Sequence, residues 1–137
     1  MNNQCIVDTS AIYALVDRTD PNHRRAASFL KQWTKPGTLL LSNHVFDEIM
    51  TLTKARLGAH VAVQLGIRLR TSQVLQVIIF AAPEEIQTWR IFSQYHDKAW
   101  SYTDCACLTL AQQRNVQMAF SFDHHHRRRA PHRHPHR

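Results

Sequence analysis

Glycine and proline are scarce, three and five in 137 residues. A turn-dense all-β fold uses more of both, so helices are expected to carry much of the chain. No apolar run approaches the roughly 20 residues that span a bilayer. The opening residues, MNNQCIVDTSA, lack the basic start and cleavage site of a secretory signal. Cysteine is limited to Cys5, Cys105 and Cys107, which supply neither a disulfide framework nor a CxxC zinc pattern. Reduced thiols and a cytoplasmic location are therefore expected. Several enzyme signatures are also missing: a GxxxxGKS/T phosphate loop, a GxGxxG fingerprint and a GxSxG nucleophile elbow. A dehalogenase-type phosphatase carries a second Asp two residues after its first, and Ser10 stands at that place after Asp8. The acidic pair and late lysine of a receiver-type phosphoacceptor are absent too.

What the chain does hold is apolar residues, 44% of the total, enough for one core. Its formal net charge is +7, but the surplus is local. Residues 124–137 read HHHRRRAPHRHPHR, with five arginines, six of the ten histidines and no acid. Residues 1–123 hold twelve basic and ten acidic side chains, a surplus of +2. A basic chain points to nucleic acid, and here that pointer sits in the tail. The expected organisation is one domain over residues 1–125 and a His/Arg-rich tail, 126–137, without fixed structure. Three roles for the tail stay open: an inert end, an arginine-rich arm adding phosphate contacts, or a soft-metal binder.

Strands and helices alternate along the body. Cys5-Ile6-Val7 reads as a strand, and Thr9 or Ser10 as the cap of a helix through Leu15. Asp20-Pro21 starts a second helix with proline in its first position and an apolar stripe of Ala26, Ala27, Phe29, Leu30 and Trp33. A strand at residues 38–41 follows, then a helix capped by Ser42 or Asn43 with Val45, Phe46, Ile49, Met50 and Leu52 at helical spacing. Gly58 separates it from a helix over 59–71 carrying Val61, Leu65 and Leu69 on one face. VLQVIIF at 74–80 is β-branched and reads as a third strand. Pro83 opens a helix with Ile86, Trp89, Phe92 and Tyr95 as its apolar stripe. Thr103 caps a last helix to Arg114, and MAFSF at 118–122 is the fourth strand. This order implies βαβ units and a parallel sheet covered on both faces. His23, His44, His60 and His96 are scattered and read as surface residues.

Ligands of such sheets bind beyond the carboxyl ends of the strands. Asp8 and Asp123 stand there directly, after the first and last strands. Glu48 and Asp104 lie on the helices after the second strand and before the fourth. Carboxylates that converge repel one another unless a cation compensates. Oxygen-only ligands suit Mg²⁺ or Mn²⁺. Such ions bind substrate phosphates, which points to phosphodiester hydrolysis. Each acid alone also fits a helix cap or a solvated surface group.

The segments IVDTSAIYALVD at 6–17, LSNHVFDEIMTL at 41–52 and SYTDCACLTLAQQRNVQMAFSFD at 101–123 carry a resemblance. With the lengths between them they resemble PIN-domain nucleases, and among these the VapC-type ribonuclease toxins of toxin–antitoxin pairs. The likeness spans residues 4 to about 125. It implies a three-layer α/β/α fold with a central parallel sheet of four or five strands. It implies a divalent-metal endoribonuclease, Mg²⁺- or Mn²⁺-dependent, that acts on structured RNA such as tRNA or rRNA. Metal-activated water would be the nucleophile, leaving 5′-phosphate and 3′-hydroxyl ends.

By position, the resemblance makes Asp8, Glu48, Asp104 and Asp123 the catalytic, metal-binding quartet, with Asp8 and Asp104 holding the ion most directly. Asp47 rivals Glu48. Thr9, Ser10 and Thr103 are supporting hydroxyls or helix caps. The family also implies a homodimer and an antitoxin seated in an apolar groove between the helices at 21–33 and 43–71, with Phe29, Trp33 and Leu57 as candidates. After Asp123 the chain departs from the family: His126 replaces an aromatic residue and the segment of the last strand is foreign. The competing reading is a degenerate PIN domain that binds RNA or a partner without cleaving.

Overall fold

The computed structural model describes residues 3–33 and 38–122. The elements run β1 (Cys5–Val7), α1 (Thr9–Val16), α2 (His23–Gln32), β2 (Leu39–Ser42), α3 (Asn43–Leu57), α4 (Ala59–Thr71), β3 (Leu75–Ile78), α5 (Ala82–Gln94), α6 (Tyr102–Arg114) and β4 (Met118–Phe120). The strands form one sheet in the order β3-β2-β1-β4, and every pairing is parallel. Ile6 lies between Leu40 and Ala119, which fixes the register of the three adjacent strands β2, β1 and β4. Every residue of β1 and β2 is buried, so both sheet faces are covered and the fold has three layers, α/β/α. The core runs through Ile6, Ile12, Leu40, Leu41, Ile49, Leu110 and Phe120. Among the described residues no helix is long and apolar enough to cross a membrane. None of the three cysteines forms a disulfide, and all are buried.

The expected alternation of elements is present, with local corrections. Asp8, rather than Thr9 or Ser10, caps α1. Helix α2 begins at His23, because the Asp20 carboxylate accepts from the Asn22 amide at 2.8 Å and holds Pro21 in the preceding turn. Ser42 caps α3 through the Val45 amide, as expected. Strand β3 is shorter than VLQVIIF: the Phe80 amide leaves the ladder for Asn43 Oδ1 at 2.8 Å. Strand β4 stops at Phe120, because Ser121 and Phe122 turn to bond residues beyond β1. Ser101, not Thr103, caps α6.

The largest reversal is in α5. Ile86, Trp89 and Phe92 face outward, 52%, 59% and 36% exposed, while Thr88 and Ile91 are buried against α6. The Thr88 hydroxyl is satisfied there by Glu84 O and by Thr109 Oγ1, each at 2.8 Å. Two histidines are also more than surface residues. His23 Nδ1 bonds Ala14 O at 2.7 Å, joining α2 to α1, and His44 pairs with Glu85.

Candidate active site

The parallel register brings the carboxyl ends of β1, β2 and β4 to one sheet edge. Asp8 is the first residue beyond β1, and it is 5% exposed. A buried carboxylate is costly unless hydrogen-bonded, and several donors converge on this one. Asp8 Oδ1 accepts from the Ser10 hydroxyl at 2.7 Å and from the Ala11 amide at 3.1 Å. Asp8 Oδ2 accepts from the Ser121 hydroxyl. The Phe122 amide in turn donates to Ser10 Oγ at 2.9 Å. The turn after β1 and the turn after β4 are thus tied together around one carboxylate.

Glu48 reaches the same place from α3. It is exposed, and its Oε1 accepts from the Thr9 hydroxyl. Asp104 arrives from the first turn of α6, where the macrodipole favours an anion. It also closes a capping box with Ser101: the Ser101 amide donates to Asp104 Oδ2 at 2.8 Å, and the Asp104 amide donates to Ser101 Oγ at 3.0 Å.

These groups line one open cavity of about 220 Å³. Its walls hold Asp8, Glu48 and Asp104, the hydroxyls of Thr9, Ser10, Ser101 and Thr103, and Cys107 and Ala99. Asp47 is not among them, nor is any Lys, Arg or His. Three of the four expected acids and all three expected hydroxyls are therefore brought together. Asp123 lies outside the described residues, as does the tail. The sequence reading missed Ser101, Ser121 and Cys107. Ser101-x-x-Asp104 was legible as a capping box. Ser121 was a lone polar residue in the apolar run MAFSF, and such a group needs a partner when buried.

Among the described residues no three His, Cys, Asp or Glu side chains form a metal cage. The donor chemistry nonetheless fits a hard divalent cation, which keeps several waters and uses one or two carboxylates plus substrate phosphates. Asp8, Glu48 and Asp104 offer oxygen alone, in a cavity lined by no basic side chain. The neighbouring Cys5 thiol is no rival nucleophile. Burial pushes its pKa well above the ordinary thiol value, and the charge of Asp8 adds to the rise against a backbone hydrogen bond at Phe120.

A second cavity, about 500 Å³ and mostly apolar, lies between α1, α2 and α4. Leu15, Val16, Leu30, Val61, Leu65 and Leu69 line it, with Arg18, His60 and Arg68. Phe29, Trp33 and Leu57 pack against the core, and Leu30 lines the cavity from α2.

Comparison with known proteins gives a consistent answer. The PIN domain profile matches residues 5–130. The 23S rRNA-specific endonuclease VapC20 of Mycobacterium tuberculosis, in two strains, is 31% identical over 118 residues, covering 85% of this chain and 87% of that protein. The crystal structure of Mycobacterium tuberculosis VapC20, described as a sarcin-ricin loop cleaving toxin, superposes with a TM-score of 0.80 at 28% identity. That match covers 88% of this chain and 90% of the other.

Proposed function

The chain belongs to the PIN domain family, and from that premise we propose that it is a divalent-metal-dependent endoribonuclease, the toxin of a toxin–antitoxin pair. The observation that carries the reading is the convergence of Asp8, Glu48 and Asp104 on one cavity from three separate elements. The likeness to VapC20 favours ribosomal RNA, the sarcin-ricin loop of 23S rRNA in particular, as the substrate.

A bound Mg²⁺ or Mn²⁺ supplies neutralisation of phosphate charge and activation of water. Asp8 and Asp104 would hold the ion, with Glu48 and Asp123 completing the set. The chain prepares these ligands in different ways. Asp8 is fixed by Ser10, Ala11 and Ser121, so its oxygens keep one orientation. Asp104 is fixed by Ser101 at the start of a helix. Glu48 is exposed and steadied through Oε1 by Thr9, which suits it to orient the attacking water or accept its proton.

The apolar cavity between α1, α2 and α4 supports the antitoxin reading. It would take the apolar face of an antitoxin helix, and Arg18 and Arg68 favour acidic residues flanking that face. The outward stripe of α5 supports a homodimer. Ile86 and Phe92 each stand three residues from Trp89, so a two-fold axis at Trp89 pairs the stripe with itself. A cytoplasmic location agrees with three unbridged cysteines.

The test is cleavage of a 23S rRNA fragment containing the sarcin-ricin loop, with Mg²⁺ or Mn²⁺ and with EDTA. Metal-dependent cuts bearing 5′-phosphate and 3′-hydroxyl ends are expected. Ends with 2′,3′-cyclic phosphate would overturn the hydrolytic mechanism. RNA bound but uncut under every condition would favour the degenerate, binding-only domain.

A further inference from the structure

His44 occupies the second position of α3, one helical turn before Glu48 and on the same face of that helix. Its imidazole leaves α3 and meets two other elements. Nε2–H donates to both carboxylate oxygens of Glu85, at 2.9 and 3.0 Å, in the first turn of α5. The ring packs edge-on against Tyr102, the first residue of α6, with centroids 5.5 Å apart. It packs likewise against Phe80, just past β3, at 5.4 Å. Tyr102 also packs edge-on against Phe92 of α5, at 5.3 Å. The His44 side chain is only 22% exposed, so these contacts enclose most of the ring.

Helix α3 carries Glu48, and α6 carries Asp104 two residues after Tyr102. His44 therefore stands between the elements that deliver two of the three carboxylates. Neither its own ring nor Glu85 lines the carboxylate cavity. We propose that His44, oriented by Glu85, is a positioning residue that sets the separation of Glu48 and Asp104 and thereby the affinity of the site for its cation. A ligand pair held on two helices binds an ion well only when the helices keep their spacing. Groups bonded to the ligands themselves typically change metal affinity about 10–100-fold, and His44 acts one contact further out, at the lower end of that range. The Glu85 bond fixes the ring plane, and the ring plane fixes where Tyr102 can sit.

The inference rests on the reading of this cavity as a cation site, and the experiment separates the two. The full chain, His44→Phe, Glu85→Ala and the double variant are titrated with Mn²⁺ followed by electron paramagnetic resonance, without RNA. His44→Phe keeps a ring between Phe80 and Tyr102 but loses the bond to Glu85. Amide hydrogen exchange is followed in parallel on the metal-free proteins.

The expected result is Mn²⁺ binding weakened about tenfold in each single variant. The double variant should be no weaker than either single one, because both remove the same bond. Exchange should quicken together in the first turns of α3 and α6, and the KM for RNA should stay unchanged while kcat falls. Unchanged Mn²⁺ affinity in folded His44→Phe and Glu85→Ala would overturn the proposal. So would fully additive losses. A wild-type chain that takes up no Mn²⁺ would overturn the cation reading itself. Exchange then still decides whether His44 joins the two helices: quickening confined to α3 refutes the joint.

Discussion

The Ser121 hydroxyl donates a hydrogen bond to Asp8 Oδ2, joining two buried residues 113 positions apart in the chain. The bond holds the carboxylate at the end of β1 from the neighbouring strand's side. Asp8→Asn should cut cleavage by more than about a hundredfold, because it removes a charged ligand of the cation that neutralises the phosphate and activates the water. The fold should survive, because the amide oxygen can still accept from Ser10 and Ala11. Ser121→Ala leaves the charge in place but frees its orientation, and about a tenfold loss of rate is expected. Single-turnover cleavage with circular dichroism spectra checks both. Full activity in Asp8→Asn would remove it from the catalytic set.

A hydrogen-bonded cluster at the far end of α1 should make stability depend on pH at both extremes. The Asp17 carboxylate accepts from the Thr19 hydroxyl at 2.7 Å, the Thr19 amide at 2.9 Å and the Tyr13 hydroxyl at 2.6 Å. The bonds from Thr19, then that from Tyr13, hold the Asp17 pKa below its ordinary 3.8. Its contribution is thus present above that value and lost as pH falls through the lower folded value. The hydrogen bond to Asp17 raises the Tyr13 pKa above 10.0. That contribution is present below pH 10.0 and lost as pH rises through the higher folded value. Urea midpoints of wild type and Asp17→Asn should therefore differ most near neutrality and converge in acid. A gap that widens on acidification would contradict this.

Thr53, in the middle of α3, is fully buried, and its hydroxyl has no hydrogen-bond partner among the described residues. A buried hydroxyl without a partner destabilises. Thr53→Val keeps the branched shape at similar helix propensity. It should raise stability by about 1 kcal/mol, read as a higher urea midpoint with an unchanged slope.

Gly58 joins α3 to α4 at φ +98°, a conformation that side chains disfavour. A Cβ built there meets nothing within 4 Å, so the cost of Gly58→Ala is conformational alone. A loss of about 1–2 kcal/mol is expected. Calorimetry should show the melting temperature lower by roughly 3–8 °C.

Much of the architecture was legible because the relevant forces are local. An apolar run ending in an acid gave β1 and Asp8, and Ser42 before an apolar helical period gave the start of α3. The face of α5 was not legible. Periodicity identifies an apolar stripe without saying what it faces, and here the stripe of Ile86, Trp89 and Phe92 lies outside while Thr88 lies inside. A hydroxyl can be buried because Glu84 and Thr109 supply partners, and those partners depend on how α5 meets α6. The site divides in the same way. Asp8 and Asp104 followed from chain order at strand and helix ends, while the resemblance decided for Glu48 over Asp47. Ser121 as partner of Asp8 required knowing that β4 lies beside β1.

The strand order also sets the order in which the site can be completed as the chain is made. Strand β1 emerges from the ribosome first, yet its pairing with β4 and its Ser121 partner wait on residues made more than a hundred positions later. Until then Asp8 lacks the hydroxyl that holds its Oδ2 from the β4 side. Contacts so distant in sequence form late in folding. The carboxylate at the end of β1 therefore reaches its fixed orientation only once nearly all of the body has been made.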